Sequence, residues 1–398
     1  MNKISLSSQC TGCSACKSAC FQDCIIMKQN EEGFIVSELN DSKCTGCKQC
    51  IDKCPQLNEA DLREPLNIYG MKNINLSRRR GSSSGGVFIE LAERVLENPK
   101  SIVFGCTLCD LKAKHIHVEA GKKLNLLKGS KYIQSNTDGI FCEVKNYLDK
   151  GYQVLFSGTP CQVGGLKSLL GEKSEGLTTV DLICHGVPSP LLFKKYVDWV
   201  EKKYKGKIIR YDFRNKENSK FSRLIKIQLK RREKVKSTMI DPRIDPYFKA
   251  FLNNETLSES CYKCRYRNRK RIGDITLGDF WGLKKLYPEF YDNNGISLVL
   301  LNTEKGKRLI RSVISKFDFV ESDYASALSL NRSLEETSIR PTARDLAYKG
   351  IQNEHFNIFE GSFYRMKKVD RLKGILKFHI IKILPSNFVD YVRAYKRR

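Results

Sequence analysis

The chain has 398 residues, and its 70 lysines and arginines against 44 aspartates and glutamates leave a formal net charge of +26. This length predicts two or three domains, and 41% apolar residues suffice for real cores, which excludes a disordered chain or a mini-protein. The sequence shows no membrane-spanning apolar run and no signal-peptide core before Cys10, so a cytoplasmic protein is expected. Sixteen cysteines in a reducing compartment indicate metal or redox chemistry rather than disulfides.

A repeated cysteine pattern dominates residues 1–60 and predicts an α+β ferredoxin-like domain with two 4Fe-4S clusters. The spacing C-x2-C-x2-C-x3-C occurs at Cys10, Cys13, Cys16 and Cys20, and again at Cys44, Cys47, Cys50 and Cys54. In such repeats the fourth cysteine ligates the other cluster. We therefore expect one cluster on Cys10, Cys13, Cys16 and Cys54, and the second on Cys44, Cys47, Cys50 and Cys20. Zinc is the alternative, although zinc sites rarely use three evenly spaced cysteines twice.

These first residues resemble the bacterial two-cluster ferredoxin, with one departure from its pattern. Phe21 stands where that family usually has a proline after the fourth cysteine. Cys24 is a ninth cysteine of this segment, and we expect it to pack as a small apolar residue beside a cluster rather than to bind it.

Residues 61–345 alternate strand-like and helix-like runs, which predicts an α/β domain with a mixed or parallel sheet. The clearest strands are SIVFG from Ser101, QVLFSG from Gln153 and TVDLIC from Thr179, and a helical pattern closely follows each of the last two. Between about Lys202 and Lys236 an alternating, lysine- and arginine-rich stretch predicts exposed strands with a basic outer face.

Four later cysteines are suited to a third 4Fe-4S cluster. Cys161 and Cys184 follow two strands directly, at the sheet edge where open α/β sheets bind ligands, and Cys261 and Cys264 form a C-x2-C pair in a basic loop. Two alternatives are a reactive Cys161 thiol at a helix N-terminus and a zinc site that pairs the loop with Cys106 and Cys109. We expect packing roles for Cys106 and Cys109, and a core position for Cys142.

Five blocks follow the ferredoxin segment in a fixed order and together carry a family resemblance. The blocks are GSSSGGVFIELAERVLE, GSKYIQS, GTPCQVGGLKSL, DLICHGVPSP and CYKCRYRNRKRIGDITLGDFWG. From Ser8 to about Arg344 the chain resembles the beta subunits of coenzyme F-420-reducing hydrogenase and dehydrogenase, a family that also includes a chlorophyll-cycle reductase. The resemblance implies an FAD-bearing domain with its own 4Fe-4S cluster, which exchanges electrons with a hydride-accepting substrate or a deazaflavin-type carrier.

Candidate flavin contacts lie in the first two blocks. Ser83, Ser84, Gly85 and Gly86 open a helix whose backbone N–H groups suit a pyrophosphate, and Arg78 to Arg80 precede them as counter-charges. Lys131 and Tyr132 offer a cation and an aromatic face. Phe280 and Trp281 are candidates for stacking, with core packing as the alternative. His185 is a candidate proton donor or a histidine bonded to a carbonyl, and no catalytic residue is assigned.

The functional hypothesis is therefore an iron–sulfur flavoprotein oxidoreductase, and relatives of this type outside coenzyme F-420 users suggest a role in polysaccharide biosynthesis. The alternative is an electron-carrier or scaffold subunit without a substrate of its own that docks an acidic partner enzyme. Residues 346–398 predict a basic helical segment that lies on an anionic membrane or packs on the protein. Nucleic-acid binding is disfavoured because no recognised binding motif accompanies the charge.

Overall fold

The structure is a computed structural model that describes residues 9–119, 121–171, 174–216, 224–329 and 331–353. Its strands are β1 Ile25–Gln29, β2 Ile35–Leu39, β3 Asn67–Asn73, β4 Ser101–Cys109, β5 Lys112–Val118, β6 Gln153–Ser157, β7 Leu177–Leu182, β8 Lys207–Asn215, β9 Leu224–Arg231, β10 Lys234–Ile240, β11 Ile275–Asp279, β12 Ser297–Leu301 and β13 Phe317–Ser322. Its α-helices are α1 Ala15–Ala19, α2 Gln49–Asp52, α3 Leu76–Arg80, α4 Val87–Leu96, α5 Ile140–Asp149, α6 Pro160–Leu170, α7 Pro190–Tyr204, α8 Pro246–Leu252, α9 Glu259–Tyr262, α10 Leu283–Leu286, α11 Glu304–Arg311, α12 Tyr324–Leu328 and α13 Ala343–Tyr348. Short 3-10 turns occupy Asp41–Lys43, Gly121–Leu127, Ile314–Lys316 and Arg332–Leu334.

The N-terminal part is a small unit with two short helices and one hairpin. Each of α1 and α2 begins inside one of the cysteine repeats, and β1 pairs antiparallel with β2 between them. The residues before these helices, Ser14 and Lys48, have positive φ angles of 68° and 62°. These left-handed residues turn the chain sharply at equivalent positions of the two repeats, as the matching spacings predict.

An eight-stranded mixed sheet forms the centre of the second domain, in the order β13-β3-β12-β11-β7-β6-β4-β5. The four strands β4, β6, β7 and β11 are parallel to one another, while both ends of the sheet are antiparallel. Helix α6 follows β6 and helix α7 follows β7, so residues just beyond these strands share one sheet edge. The predicted α/β domain with a mixed sheet is confirmed.

The basic middle segment forms a separate antiparallel sheet in the order β10-β9-β8. One face of β8 and β9 packs on α7 and α8 through a large aromatic core that includes Phe193, Tyr196, Tyr211 and Tyr247. On the other face Lys207 stands directly opposite Lys230. Strands with a basic outer face were predicted here, and the structure has them.

The structure bears on the expectations for Cys142 and for the basic C-terminal segment. Cys142 was expected in the core, and this is wrong: the cysteine is exposed on the outer side of α5, while Phe141 and Val144 of that helix are buried. The basic C-terminal segment lies almost wholly outside the described residues. Among the described helices, none combines the length and the apolarity needed to cross a membrane.

Candidate functional site

The first cysteine set lies where the ferredoxin-like unit meets the α/β domain. Burial raises the pKa of the Cys16 thiol to about 12, and the neighbouring Cys10 and Cys54 thiols raise it further. Burial likewise raises the pKa of Cys54, which has Cys10 as a thiol neighbour. Cys54 from the second repeat therefore lies with the cysteines of the first repeat, in the arrangement that the crossover of fourth cysteines requires.

The second set lies at the surface of the ferredoxin-like unit. Cys44 and Cys47 are exposed, whereas Cys20 and Cys50 are half-buried. Burial raises the pKa of Cys50, and its thiol neighbours are Cys20 and Cys44. Cys24 is buried nearby and its thiol donates to the carbonyl of Lys43 at 3.0 Å, which fits the packing role predicted for it.

Cys161, Cys184, Cys261 and Cys264 form a third set at the carboxyl ends of β6 and β7. Burial raises the pKa of Cys161 to about 12, with Cys184 and Cys264 as further thiol neighbours. Cys261 has all three of the others as neighbours, and burial raises its pKa as well. Without a bound metal, a thiol whose pKa is raised by burial is a weak nucleophile, which disfavours the alternative of a Cys161 nucleophile activated by the helix N-terminus.

Arginines of the loop after Cys264 surround this third set. Arg271 is buried and lies 3.5 Å from Asp181, and its guanidinium also donates to the carbonyl of Tyr266 at 3.0 Å. Arg267 donates to the carbonyl of His185, and its charge lowers the pKa of Cys184 against the raising effect of burial. Cations beside the Cys184 thiol favour its deprotonated, metal-binding form. The donor set thus fits a thiolate-ligated cluster.

The first and third sets meet at helix α6, which begins with the third-set residue Cys161. A Cβ atom placed on Gly165 would lie 2.8 Å from Sγ of Cys13. A Cβ atom on Gly164 would lie 2.1 Å from the hydroxyl oxygen of Tyr266. Both approaches need glycine because a real Cβ is essentially never this close to another heavy atom. The two adjacent glycines therefore leave room beside α6 for the Tyr266 and Cys13 side chains.

Several hydrogen bonds fix the ferredoxin-like unit in this position. The Gln134 amide accepts from the Ile35 N–H at 2.7 Å and donates to the Ile35 carbonyl at 2.9 Å, as a neighbouring strand would. Lys17 pairs with Asp138 at 2.8 Å. On the far side the guanidinium of Arg265 donates to the carbonyl of Asn58 at 2.6 Å. The two parts of the chain are therefore docked, not merely tethered.

A cavity of about 370 Å³ opens beside the third set. Its lining joins the loop before α4, the segment 128–135 and the third-set cysteines; it includes Ser82, Ser83, Ser84, Gly86, Lys131, Tyr132, Cys161, Cys184, Cys261 and Cys264. Gly86 has a φ of 88°, a left-handed conformation that lets the chain turn into α4. The N–H groups at the start of this ten-residue helix therefore lie at the cavity wall.

The predicted flavin contacts fall into two groups in the structure. Ser83, Ser84 and Gly86 line the cavity, whereas a Cβ on Gly85 would lie 2.1 Å from the Met71 carbonyl, so Gly85 serves the packing against β3. Lys131 lines the cavity, but its ammonium donates to the carbonyls of Leu127 and Lys128 at 3.2 and 2.8 Å. Burial lowers the pKa of Lys131.

Aromatic and histidine candidates lie among other side chains. The Tyr132 ring packs against Phe248 and Phe251 at centroid distances of 5.0 and 5.3 Å, while the residue still borders the cavity. Phe280 is buried in the core under β12, which supports the core alternative stated for it. His185 lines the cavity, and burial together with the charge of Arg267 lowers its pKa.

Two of the three arginines before the loop have carboxylate partners of their own. Arg78 bonds Glu90 at 3.0 Å and Glu93 at 2.5 Å, and Arg79 pairs with Asp292 at 2.6 Å. Glu90 is buried, and a buried carboxylate requires a partner. These contacts, rather than a pyrophosphate, account for Arg78 and Arg79.

Sequence reasoning missed two residues of the cavity wall. Arg214 of β8 makes a bidentate pair with Asp279 of β11 at 2.5 and 2.9 Å, and both residues line the cavity. The Arg214 side chain is 8% exposed, so this pair is nearly removed from water. The only signal in the sequence was an arginine between the buried Phe213 and Asn215 of an alternating strand. That signal does not reveal which strand lies opposite.

The described residues contain no group of three or more histidine, cysteine, aspartate or glutamate side chains arranged to hold one metal ion. A single zinc ion binds its thiolates at about 2.3 Å, whereas a 4Fe-4S cube spreads its four ligands over separate irons. The cluster assignment therefore depends on the grouping of the thiols and on the similarity of the chain to known iron–sulfur domains.

Two family models match separate parts of the chain. Residues 9–58 match the 4Fe-4S dicluster domain, and residues 151–325 match the C terminus of the coenzyme F420 hydrogenase/dehydrogenase beta subunit. Each matched segment is similar to the family named for it. The family recognised from the sequence is thereby confirmed, and the dicluster match supports iron–sulfur clusters in the N-terminal domain. Together the two matches support iron–sulfur electron transfer of an oxidoreductase type.

Two further comparisons complete this description. One chain of the F420-reducing [NiFe] hydrogenase complex from Methanosarcina barkeri is similar, with 15% identity and a TM-score of 0.46, over 75% of this chain and 96% of that chain. No curated protein matches the sequence.

Proposed function

We propose that the chain is an iron–sulfur flavoprotein oxidoreductase that passes electrons between 4Fe-4S clusters and FAD to reduce or oxidise a hydride-accepting substrate. The observation that carries the proposal is the cavity, because one of its walls is the third cysteine set and another is the N-terminus of α4. Such a cavity brings a one-electron centre and a phosphate-binding helix end to the same space.

Three four-cysteine sets would hold the clusters. The first set would be Cys10, Cys13, Cys16 and Cys54; the second Cys20, Cys44, Cys47 and Cys50; and the third Cys161, Cys184, Cys261 and Cys264. The second set is exposed, so a redox partner protein would exchange electrons there. The third set lies at the wall of the cavity.

The residues proposed to hold the flavin are Ser83, Ser84 and Gly86 at the helix N-terminus, with Tyr132 and Lys131 on the facing wall. When bound, FAD supplies the exchange between hydride transfer and single-electron transfer. The chain itself supplies backbone N–H donors at α4, and it supplies an enclosed wall in which the Arg214–Asp279 pair holds β8 against β11. Lys131 would act by fixing the segment 126–128 through its carbonyl bonds rather than as a free cation.

Two classes of substrate are candidates for this chemistry. A deazaflavin-type carrier is one candidate, since the matching family is named for coenzyme F420. A glycan precursor handled with polysaccharide biosynthesis enzymes is the other candidate that we propose. We place the protein in the cytoplasm, and a basic segment at its C-terminus would bring it to an anionic membrane surface.

Anaerobic iron and flavin quantitation tests the proposal most directly. The reconstituted chain should contain about twelve irons, four for each 4Fe-4S cube, and one flavin. The Cys161→Ala variant should lose about four of these irons, whereas Cys142→Ala, which alters an exposed cysteine outside the three sets, should lose none. Full iron without flavin would remove the flavoprotein proposal, and an unchanged iron content in Cys161→Ala would remove the third cluster.

The exposed basic sheet favours a second candidate, an electron-carrier or scaffold subunit that docks an acidic enzyme. Lys207, Lys230, Lys234 and Lys236 are exposed on this sheet, and among the described residues only the first two have an acidic side chain near them, Glu201 at 2.6 Å and Glu233 at 4.0 Å. Binding of an acidic redox protein that weakens steeply with added salt, without substrate reduction by the chain alone, would favour this candidate.

A further inference from the structure

A buried polar group without a partner among the described residues lies at the contact between the first and third cysteine sets. The hydroxyl of Tyr266 is buried and makes no hydrogen bond to any described residue. Burying a hydroxyl without a partner costs free energy, so such groups are rare and usually have a ligand, water or cofactor nearby. Here the neighbouring thiols are those of Cys161, Cys13 and Cys264.

The position of this tyrosine is fixed from three sides. Its phenol rests on Gly164, where a Cβ would lie 2.1 Å from the hydroxyl oxygen and 2.7 Å from Cζ. Its carbonyl accepts from the buried Arg271 at 3.0 Å. Two residues earlier in the chain stands Cys264 of the third set, and the residue between them, Arg265, bonds the ferredoxin-like unit at Asn58. The hydroxyl is therefore held among cysteines of both sets.

We propose that the Tyr266 hydroxyl donates a hydrogen bond to a sulfur of the cluster held by Cys161 and Cys264, and so sets the potential at which electrons arrive from the first cluster. The inference rests on the proposed third cluster. A hydrogen bond to a cluster sulfur stabilises the extra negative charge of the reduced form, so it raises the reduction potential. The unpaired hydroxyl and its thiol neighbours carry this assignment.

Gly165 lets the first cysteine set approach the helix of the third set closely. Because Sγ of Cys13 lies where a side chain at this position would begin, the first set approaches the helix that bears Cys161 without an intervening side chain. Electron tunnelling slows exponentially with the distance between cofactors. Gly165 is thus a positioning residue for transfer between the two clusters, and Tyr266 adjusts its driving force.

The Tyr266→Phe variant isolates the hydroxyl, because it retains the ring and removes only the unpaired group. We expect wild-type iron content and a third cluster of lower potential, so that the equilibrium for sharing one electron moves toward the first cluster by about tenfold, as a hydrogen bond to a charged acceptor implies. Potentiometric titration followed by EPR reads both clusters separately. The control is Tyr348→Phe, a buried tyrosine whose hydroxyl instead donates to the Thr256 carbonyl at 2.7 Å.

The outcomes are distinct. An unchanged third-cluster potential in Tyr266→Phe with full iron overturns the inference alone, and a shift confined to the first cluster overturns the choice of acceptor. A wild-type chain that holds only about eight irons overturns the proposed third cluster and the inference with it. Gly165→Ala adds a second readout: reduction of the third cluster through the first should slow severalfold while both potentials stay unchanged.

Discussion

The side-chain amide of Gln134 pairs with the backbone of Ile35 through both of its polar ends. The amide oxygen accepts from the Ile35 N–H at 2.7 Å and the amide nitrogen donates to the Ile35 carbonyl at 2.9 Å, with a third bond to the Thr11 carbonyl at 3.2 Å. One side chain of the α/β domain thereby completes the open edge of β2 and holds the loop that leads into the first cysteine set.

The variant Gln134→Ala should weaken this docking. It leaves up to three backbone groups without partners, and each unsatisfied buried group costs about 1–3 kcal/mol, so we expect unfolding at lower urea concentration under anaerobic conditions. Electron transfer from the N-terminal clusters to the proposed third cluster should slow as well. The matched control is Gln228→Ala on the exposed face of β9, where the amide makes one bond of 3.4 Å to Ser237. Equal urea midpoints for the two variants would contradict the docking role.

A buried ion pair joins the two domains at a second place. Arg344 is 1% exposed; its guanidinium bonds both oxygens of Glu32 at 2.5 and 2.6 Å and donates to the Leu257 carbonyl at 3.1 Å. Lysine cannot reproduce the two parallel bonds. Arg344→Lys should therefore destabilise the fold by about 1–2 kcal/mol and Arg344→Ala by about 2–3 kcal/mol, because the alanine variant loses charge-assisted hydrogen bonds while the remaining Glu32 side chain, 29% exposed, is still hydrated.

The same urea measurement tests that pair against an exposed one. Arg332 is 80% exposed, and its contact with Glu336 is 4.0 Å long, so Arg332→Ala should change the free energy of unfolding by less than about 0.5 kcal/mol. If Arg344→Ala were as mild as Arg332→Ala, the ion pair would not hold the domains together.

The cysteine sets and the strands that carry them could be predicted, whereas the contacts between domains could not. Spacing alone placed Cys54 with the first repeat, and periodicity alone placed Cys161 and Cys184 after neighbouring parallel strands. Local patterns carry this information because each ligand lies within a few residues of the turn or strand that positions it. The prediction for Cys142 failed because the apolar stripe of α5 runs through its neighbours Phe141 and Val144.

The docking surface depends on how two distant segments meet, and no local pattern encodes that. Gly164 and Gly165 look in sequence like ordinary weak points of a helix, yet Tyr266 and Cys13 occupy the space beside them. The same limit explains why Arg78 was expected to face a phosphate. Its partner in the structure is Glu90 on the next helix, and the turn between α3 and α4 brings the two side chains together.

The buried carboxyl of Asp245 should make stability fall as the pH rises. Burial raises its pKa from 3.8 to about 6, although the Tyr196 hydroxyl and the Phe248 N–H donate to it. The folded chain thus binds a proton that the unfolded chain releases. This contribution is complete below about pH 4, and it is lost as the pH passes through 6. Asp245→Asn keeps an acceptor for these hydrogen bonds. It should reduce the decline in unfolding free energy with rising pH, by about 3 kcal/mol at most.

An exposed aspartate provides the control of opposite sign for Asp245. Asp323 caps α12, and hydrogen bonds from the Ser326 backbone and side chain lower its pKa. Its contribution is present at neutral pH and is lost as the pH falls below its ordinary range. Between pH 4 and pH 7 the urea midpoint of Asp323→Asn should therefore run parallel to that of the wild type, because the Asp323 carboxyl changes protonation below this range, whereas the slope for Asp245→Asn should differ. A slope for Asp245→Asn identical to that of the wild type would contradict the buried, protonated carboxyl.

His115 on the cavity wall should have the reverse pH dependence. Burial lowers its pKa from 6.5 to about 4, and its ring contacts the Ser157 carbonyl at 3.1 Å and the Ser135 hydroxyl at 3.2 Å. The folded chain keeps this ring neutral while the unfolded chain takes up a proton below pH 6.5. The stability that it contributes is thus present above pH 6.5 and is lost as the pH falls toward 4.

His115→Gln retains a polar side chain beside both partners but cannot take up this proton. Its urea midpoint should fall less than that of the wild type between pH 6.5 and pH 4, by a difference of up to about 3 kcal/mol in unfolding free energy. Because Asp245 acts in the opposite direction over the same range, the two contributions partly offset each other in the wild type, and the double variant with Asp245→Asn should return toward the wild-type profile. His117→Gln is the control, since this histidine is 41% exposed beside Glu143. Parallel pH profiles for His115→Gln and the wild type would contradict the lowered pKa, because the ring would then bind its proton equally well in the folded and unfolded chains.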